Sequence, residues 1–144
     1  MSFKDDLARG KKVEEEILNY VQSKYPDAHM VDGYCKEWDI FIPSIDEGVE
    51  VKYDPMSMRT GNIVVEIEYN DKPSALMTTK AYRWVFHTKD EVIVTTPDRL
   101  HRLIKDNALY PVTFTGPGDP HAKKAYLVKK ALIKATALTV RGVI

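Results

Sequence analysis

Between Phe3 and Lys24 apolar residues recur three and four positions apart, with Leu7, Val13, Ile17, Tyr20 and Val21 on one stripe, and Pro26 stops the run. This spacing predicts one amphipathic helix. Beyond it the period shortens to two. Trp38-Asp39-Ile40-Phe41-Ile42 and Val49-Glu50-Val51-Lys52-Tyr53 are rich in β-branched and aromatic residues and read as strands, with Pro43 to Gly48 supplying the turn between them. Ile63 to Tyr69 predicts a third strand with Ile63, Val65, Ile67 and Tyr69 on one face, extending the same sheet. Tyr82 to Thr88 and Glu91 to Thr96 predict two more strands joined at Lys89-Asp90, and Thr96-Pro97-Asp98 opens a helix carrying Leu100, Leu103 and Ile104. Two Pro and two Gly make Thr115 to His121 a loop. The tail from Ala122 to Ile144 carries enough apolar residues to dock on the body as strand or helix.

The polar positions inside the two short strands narrow the picture further. A hairpin about Pro43 to Gly48 that sets Ile42 opposite Val49 places Phe41 opposite Glu50 and Asp39 opposite Lys52 on one face, with Trp38, Ile40, Val51 and Tyr53 on the other. A slip of one residue would mix charges with apolar residues, so the pattern itself groups Asp39, Glu50 and Lys52. Two carboxylates held close repel, and a hard cation such as Mg²⁺ relieves the repulsion while keeping positions for water and phosphate. A neighbouring lysine can stabilise charge on phosphorus or orient an attacking water. Glu-x-Lys by itself is common on half-exposed strands; the aspartate at a compatible distance and the acidic residues of the preceding helix give it weight. On that helix Glu14 borders the buried stripe, Glu15 is the most solvated, and Glu16 is the alternative to Glu14.

The order of helix glutamate, strand aspartate and Glu-x-Lys resembles the PD-(D/E)XK nuclease superfamily, over roughly residues 9 to 95. Gly10-Lys11-Lys12-Val13-Glu14 with Ile17 is similar to the helical start of archaeal Holliday-junction resolvases in that superfamily. The resemblance implies a restriction-endonuclease-like α/β core, a central mixed sheet of about five strands flanked by helices. It implies Glu14 as the helix carboxylate, Asp39 and Glu50 as ligands of Mg²⁺, with Mn²⁺ substituting, and Lys52 as the catalytic lysine. Trp38 stands where the literal motif has proline, and Glu66 and Glu68 exceed the minimal pattern, either as supplementary ligands or as an exposed strand face.

Composition sets the outer bounds. The 144 residues suffice for one domain, 1–144, with no linker or repeat dividing them. No apolar stretch reaches membrane-spanning length and Cys35 is the only cysteine, so a cytoplasmic protein without internal disulfides is expected. Net charge is zero, yet residues 1–72 hold nine Lys and Arg against sixteen Asp and Glu, and residues 73–144 hold twelve against five, a balance of −7 and +7. A basic half beside an acidic, metal-binding half suits a partner such as DNA, RNA remaining open. Lys80, in the hydroxyl-rich junction Thr78-Thr79-Lys80, and Arg99, Arg102, Lys123 and Lys124 are the candidate phosphate contacts. The four histidines are dispersed without zinc-ligand spacing, and no Gly-rich phosphate loop is present. The expected function is a Mg²⁺-dependent endodeoxyribonuclease, structure-specific or junction-resolving, with the apolar tail available for a homodimer interface. The competing reading is a DNA-binding or assembly protein on the same fold without turnover.

Overall fold

The computed structural model describes residues 3–33, 37–116 and 118–143, with the side chains of residues 3–7 excepted. Cys35, Pro117 of the expected loop and the Leu7 side chain lie outside the described residues. The predicted first helix, α1, spans Phe3–Gln22. The strands are β1 (His29–Met30), β2 (Ile40–Ile42), β3 (Glu47–Tyr53), β4 (Asn62–Tyr69), β5 (Lys72–Pro73), β6 (Arg83–His87), β7 (Glu91–Thr95), β8 (Val112–Phe114), β9 (Lys123–Lys129) and β10 (Thr139–Gly142). Three further helices are α2 (Ser57–Thr60), α3 (Pro97–Asp106) and α4 (Lys130–Thr136). No helix among the described residues is long and apolar enough to cross a membrane.

Among the described residues ten strands form two sheets. The first is mixed, in the order β1-β2-β3-β6-β7-β10, with β3 and β6 parallel and its other pairs antiparallel. Alternation along its strands sorts two cores. Ile40, Ile42, Val49, Val85, Val92 and Val94 face α1 and receive Val13 and Ile17. Trp84, Phe86 and Ile93 face the opposite way and pack with Ile63, Val65 and Ile67 of β4, Val128 of β9, Leu100 and Leu103 of α3, and Ile133 of α4. At about 25 cal/mol per Å² of apolar area removed from water, side chains of this size each contribute about 2 kcal/mol.

The mixed α/β sheet is therefore present, while two details differ from expectation. Residues 63–69 do not extend the first sheet. β4 pairs with β5 and β9 in a second, antiparallel sheet of order β5-β4-β9-β8. The α2 turn closes on Gly61 at φ 74°, a left-handed conformation that glycine adopts without strain, and it redirects the chain over the sheet face. With β6 occupying the free edge of β3, the alternating Ile63, Val65 and Ile67 bury instead by facing the first sheet. That sheet is thus flanked by α1 on one face and by the second sheet with α3 and α4 on the other, not by helices alone.

The tail docks as both strand and helix: β9 joins the second sheet, α4 crosses, and β10 completes the first, with the Leu138 N–H donating to Val94 O at 2.8 Å. α3 begins as expected at Thr96, whose hydroxyl accepts from the Arg99 N–H at 3.2 Å. Replacing a capping threonine with alanine removes the partner of an otherwise orphaned donor. Thr96→Ala should therefore lose about 1 kcal/mol, read as a lower urea midpoint at unchanged slope.

Candidate active site

Strand register decides which charges meet. The loop between β2 and β3 is shorter than expected: Pro43–Ile45 forms a single 3₁₀ turn and Asp46 follows at φ 52°, its N–H donating to Pro43 O. Asp27 pins this turn, accepting from the Ser44 N–H at 2.6 Å and the Ser44 hydroxyl at 2.9 Å. Glu47 and Gly48 consequently enter β3, and the pairs are Ile40 with Val49, Phe41 with Gly48 and Ile42 with Glu47. The expected pairing of Ile42 with Val49 is thus displaced by two residues. A shift of two preserves faces, so Asp39, Glu50 and Lys52 still share one. It also moves Asp39 from opposite Lys52 to beside Glu50, with the Asp39 N–H donating to Val49 O at 3.0 Å.

Trp38 corrects a second expectation. It lies outside β2 and turns onto the Phe41 and Gly48 face, its ring stacked on Phe41 at 5.2 Å between centroids and 16° between planes. Gly48 makes this placement available: a Cβ there would lie 2.2 Å from an indole carbon. Gly48→Ala should displace the ring and destabilise the fold by about 2 kcal/mol, the range for overpacking a filled site, measured as a lower denaturant midpoint.

The chemistry-bearing groups lie on the sheet face turned away from α1. Asp39 is only 7% exposed, and its Oδ2 accepts the Val51 N–H at 2.8 Å, which fixes the carboxylate against β3. Glu50 sits beside Asp39 across the strand pair. Lys52 Nζ lies 3.3 Å from Glu50 Oε2 and 5.3 Å above the centre of the Trp84 ring, which steadies the ammonium by cation–π attraction. Burial pushes the Glu50 carboxyl up to about 7; the Lys52 ammonium pulls it down, and the hydrogen bond and charge of Asp39 add to the rise. Two carboxyls in contact in a partly dry setting are accommodated when one holds a proton or when both face a cation.

Glu50 and Lys52 open onto a cleft of about 470 Å³, also lined by Glu37, Glu66, Ala75, Thr78, Thr79 and Lys80. The excursion between β3 and β6 builds its far wall. Glu66 accepts from the Ser74 hydroxyl at 2.8 Å and lies 4.0 Å from Lys123. Thr79 Oγ1 accepts from Trp84 Nε1 at 3.1 Å and the Ala81 N–H at 3.2 Å, tying the wall to the floor. Lys80, with a side chain 67% exposed, reaches Glu37 at 3.5 Å across the rim. The place of Glu37 was not legible in the sequence, because only the fold brings the segment before β2 to the end of the 78–80 turn.

The other expected site residues are dispersed. Glu14 borders a separate surface cavity with Lys11, Glu15, Met30, Val31, Asp32 and Gly33 and does not line the Glu50 cleft. Glu16, the alternative helix carboxylate, accepts from His87 Nε2 at 3.2 Å; the Lys89 N–H donates to His87 Nδ1 at 3.1 Å, which puts the imidazole proton on Nε2. Arg99 donates to Thr136 O at 2.7 Å and so ties α3 to the end of α4. Arg102 is exposed on α3. Lys123 is 3.3 Å from Asp119, and Lys124 is 3.2 Å from Glu68. The −7 and +7 halves are thus partly interleaved, since acidic β4 lies directly against basic β9.

Among the described residues no group of three or more His, Cys, Asp and Glu side chains is gathered as a ligand set. Asp39 and Glu50 form a pair, which fits a cation that binds one or two protein carboxylates and keeps several waters, as Mg²⁺ does. Compared with protein-family models, with curated proteins and with solved structures, the chain has no significant match.

Proposed function

We propose that the cleft is a Mg²⁺-dependent phosphodiesterase site, that its substrate is DNA, and that the chain is an endonuclease with a restriction-endonuclease-like core of the PD-(D/E)XK type. One observation carries this reading: Asp39 and Glu50 side by side across neighbouring strands, with Lys52 3.3 Å from Glu50, on a sheet face that opens into a cleft walled by Thr78, Thr79 and Lys80. The mixed sheet, with antiparallel β1 to β3 followed by parallel β6 and α1 on its far face, supports it.

In this reading Asp39 and Glu50 hold the ion, which when bound would polarise a phosphate oxygen and lower the pKa of a water. Asp39 cannot swing away, because its second oxygen is held by the Val51 N–H. Glu50 must release its proton to bind a cation, so occupancy rises with pH through about 7. Lys52 keeps its ammonium over Trp84 and beside Glu50, positioned to meet a phosphate oxygen or to orient the attacking water. Lys80 and the hydroxyls of Thr78 and Thr79 line the opposite side, where a strand's neighbouring phosphates would pass.

Labelled linear, flapped and four-way DNA incubated with Mg²⁺, Mn²⁺ or EDTA tests the reading. Cutting should require the metal and disappear in Asp39→Asn; folded protein that binds DNA and cuts none of these with either metal would replace the nuclease by a binding module.

A further inference from the structure

The carboxylate cleft does not account for the aromatic surface beside it. Trp38 lies flat over Gly48 and is stacked on Phe41, whose other neighbour, His29, meets it edge-on at 6.1 Å. Both Trp38 and Phe41 are half-buried, Trp38 packing in part against the core between the two sheets, and they sit on the same sheet face as Glu50 and Lys52. Gly48 precedes Glu50 by two residues on that face, about 7 Å along the strand at about 3.3 Å per residue. This is the scale that separates a backbone phosphate from the base of its own nucleotide. On the adjoining strand position the Tyr82 N–H donates to Gly48 O at 2.9 Å, and Tyr82 is 56% exposed. Lys80 stands two residues away on the rim of the cleft.

Rings set beside a cation and next to a phosphate-sized cleft are the parts of a surface that binds single strands, where bases stack on aromatics and the backbone follows positive charge. Bases inside a duplex are stacked on one another and cannot lie on rings embedded in a sheet; an unpaired base can. We propose that Trp38, backed by Phe41 and seated on Gly48, is a stacking platform for an unpaired DNA base next to the phosphate held over Glu50 and Lys52, with Tyr82 as a second ring for the next base. The proposal deepens the nuclease reading and rests on it for the position of the phosphate. It assigns the substrate class: single-stranded DNA, or the unpaired nucleotides of a flap or junction. Gly48 then serves the platform as well as the fold, since any side chain there would lift the indole off the sheet.

The test measures binding in EDTA, where no cutting interferes. Fluorescein-labelled oligothymidylate, the same strand with abasic sites, and a duplex of equal length are titrated with wild type, Trp38→Leu and Trp38→Phe, each first shown folded by circular dichroism and its melting curve. Wild type should prefer the base-bearing strand to the abasic one by about tenfold or more, the range for one stacked base. Trp38→Leu should bring that ratio close to one, and Trp38→Phe should retain part of it. Tyr82→Ala, at an exposed position and likewise first shown folded, should lower the ratio independently. A ratio unchanged in Trp38→Leu and Tyr82→Ala, or no preference for bases in wild type, overturns the platform. Failure of the underlying nuclease reading looks different: strong base-dependent binding through Trp38 with no metal-dependent cutting supports the platform and removes the chemistry, whereas cutting with an unaltered base ratio removes the platform alone.

Discussion

Glu50→Gln should abolish metal-dependent cutting and, in EDTA at pH 8, unfold at a higher temperature than wild type. The two effects share one cause. Burial and the neighbouring Asp39 push the Glu50 carboxyl up to about 7 from an ordinary 4.5, so the folded protein holds a proton that the unfolded chain releases. Between those two values the folded state binds more protons, so stability falls as pH rises through the window and levels above about 7. Glutamine keeps the shape and the ability to donate to Asp39, and it removes the charge that must be desolvated. The variant should gain about 3 kcal/mol over wild type at pH 8, the rise to about 7 already including the pull of Lys52, and nothing below pH 4.5. Mg²⁺ should reverse the ranking. A cation on Asp39 and Glu50 stabilises only the folded wild type, by about 2.7 kcal/mol at a hundred times its dissociation constant, and more strongly at pH 8 than at pH 6, where it competes with the proton. Melting curves at pH 4.5, 6 and 8, with Mg²⁺ and with EDTA, check each part; a variant less stable than wild type at pH 8 in EDTA would show that the carboxylate is not strained.

Lys52→Ala should lower the cleavage rate by about a thousandfold, the loss typical of removing one preorganised group that stabilises transition-state charge. Its effect on metal affinity should have the opposite sign to that of an added cation. Lys52 lies 3.3 Å from Glu50 and competes for its charge, so at a pH well above 7, where Glu50 is ionised even after its pKa has risen further, removing the ammonium leaves the carboxylates freer to attract Mg²⁺. Tight Mg²⁺ binding with little turnover is the signature expected, measured by calorimetric titration beside single-turnover cleavage. Equal losses of binding and turnover would instead make Lys52 a structural partner of Glu50.

Faces were legible in the sequence; partners were not. The two-residue alternation in β3 and β4 and the helical spacing of α1 and α3 assign each apolar side chain to a face, because burial acts on every second or every third and fourth residue. The grouping of Asp39, Glu50 and Lys52 survives a two-residue error in register for the same reason. The register itself was set by a turn of three residues and the left-handed Asp46, which a count of turn-forming residues from Pro43 to Gly48 overestimates. The placement of β4 depends on β9, some sixty residues later, and no local pattern distinguishes a strand that extends a sheet from one that covers it. Halves of opposite charge likewise suggested separate surfaces, whereas Glu68 faces Lys124 across one strand pair.

The last segment has a consequence for cooperativity. Residues 123–142 supply an inner strand to the second sheet, a helix that buries Ile133 against the first sheet, and the edge strand of that first sheet. β9 and α4 cannot leave without exposing Val128 or Ile133, which pack with Trp84, Phe86 and Ile93 of the first sheet and with Ile63 and Val65 of the second. The two layers are therefore coupled into one unfolding unit, and amide exchange in β4 and β7 should converge on a single opening free energy rather than report two sheets melting in turn.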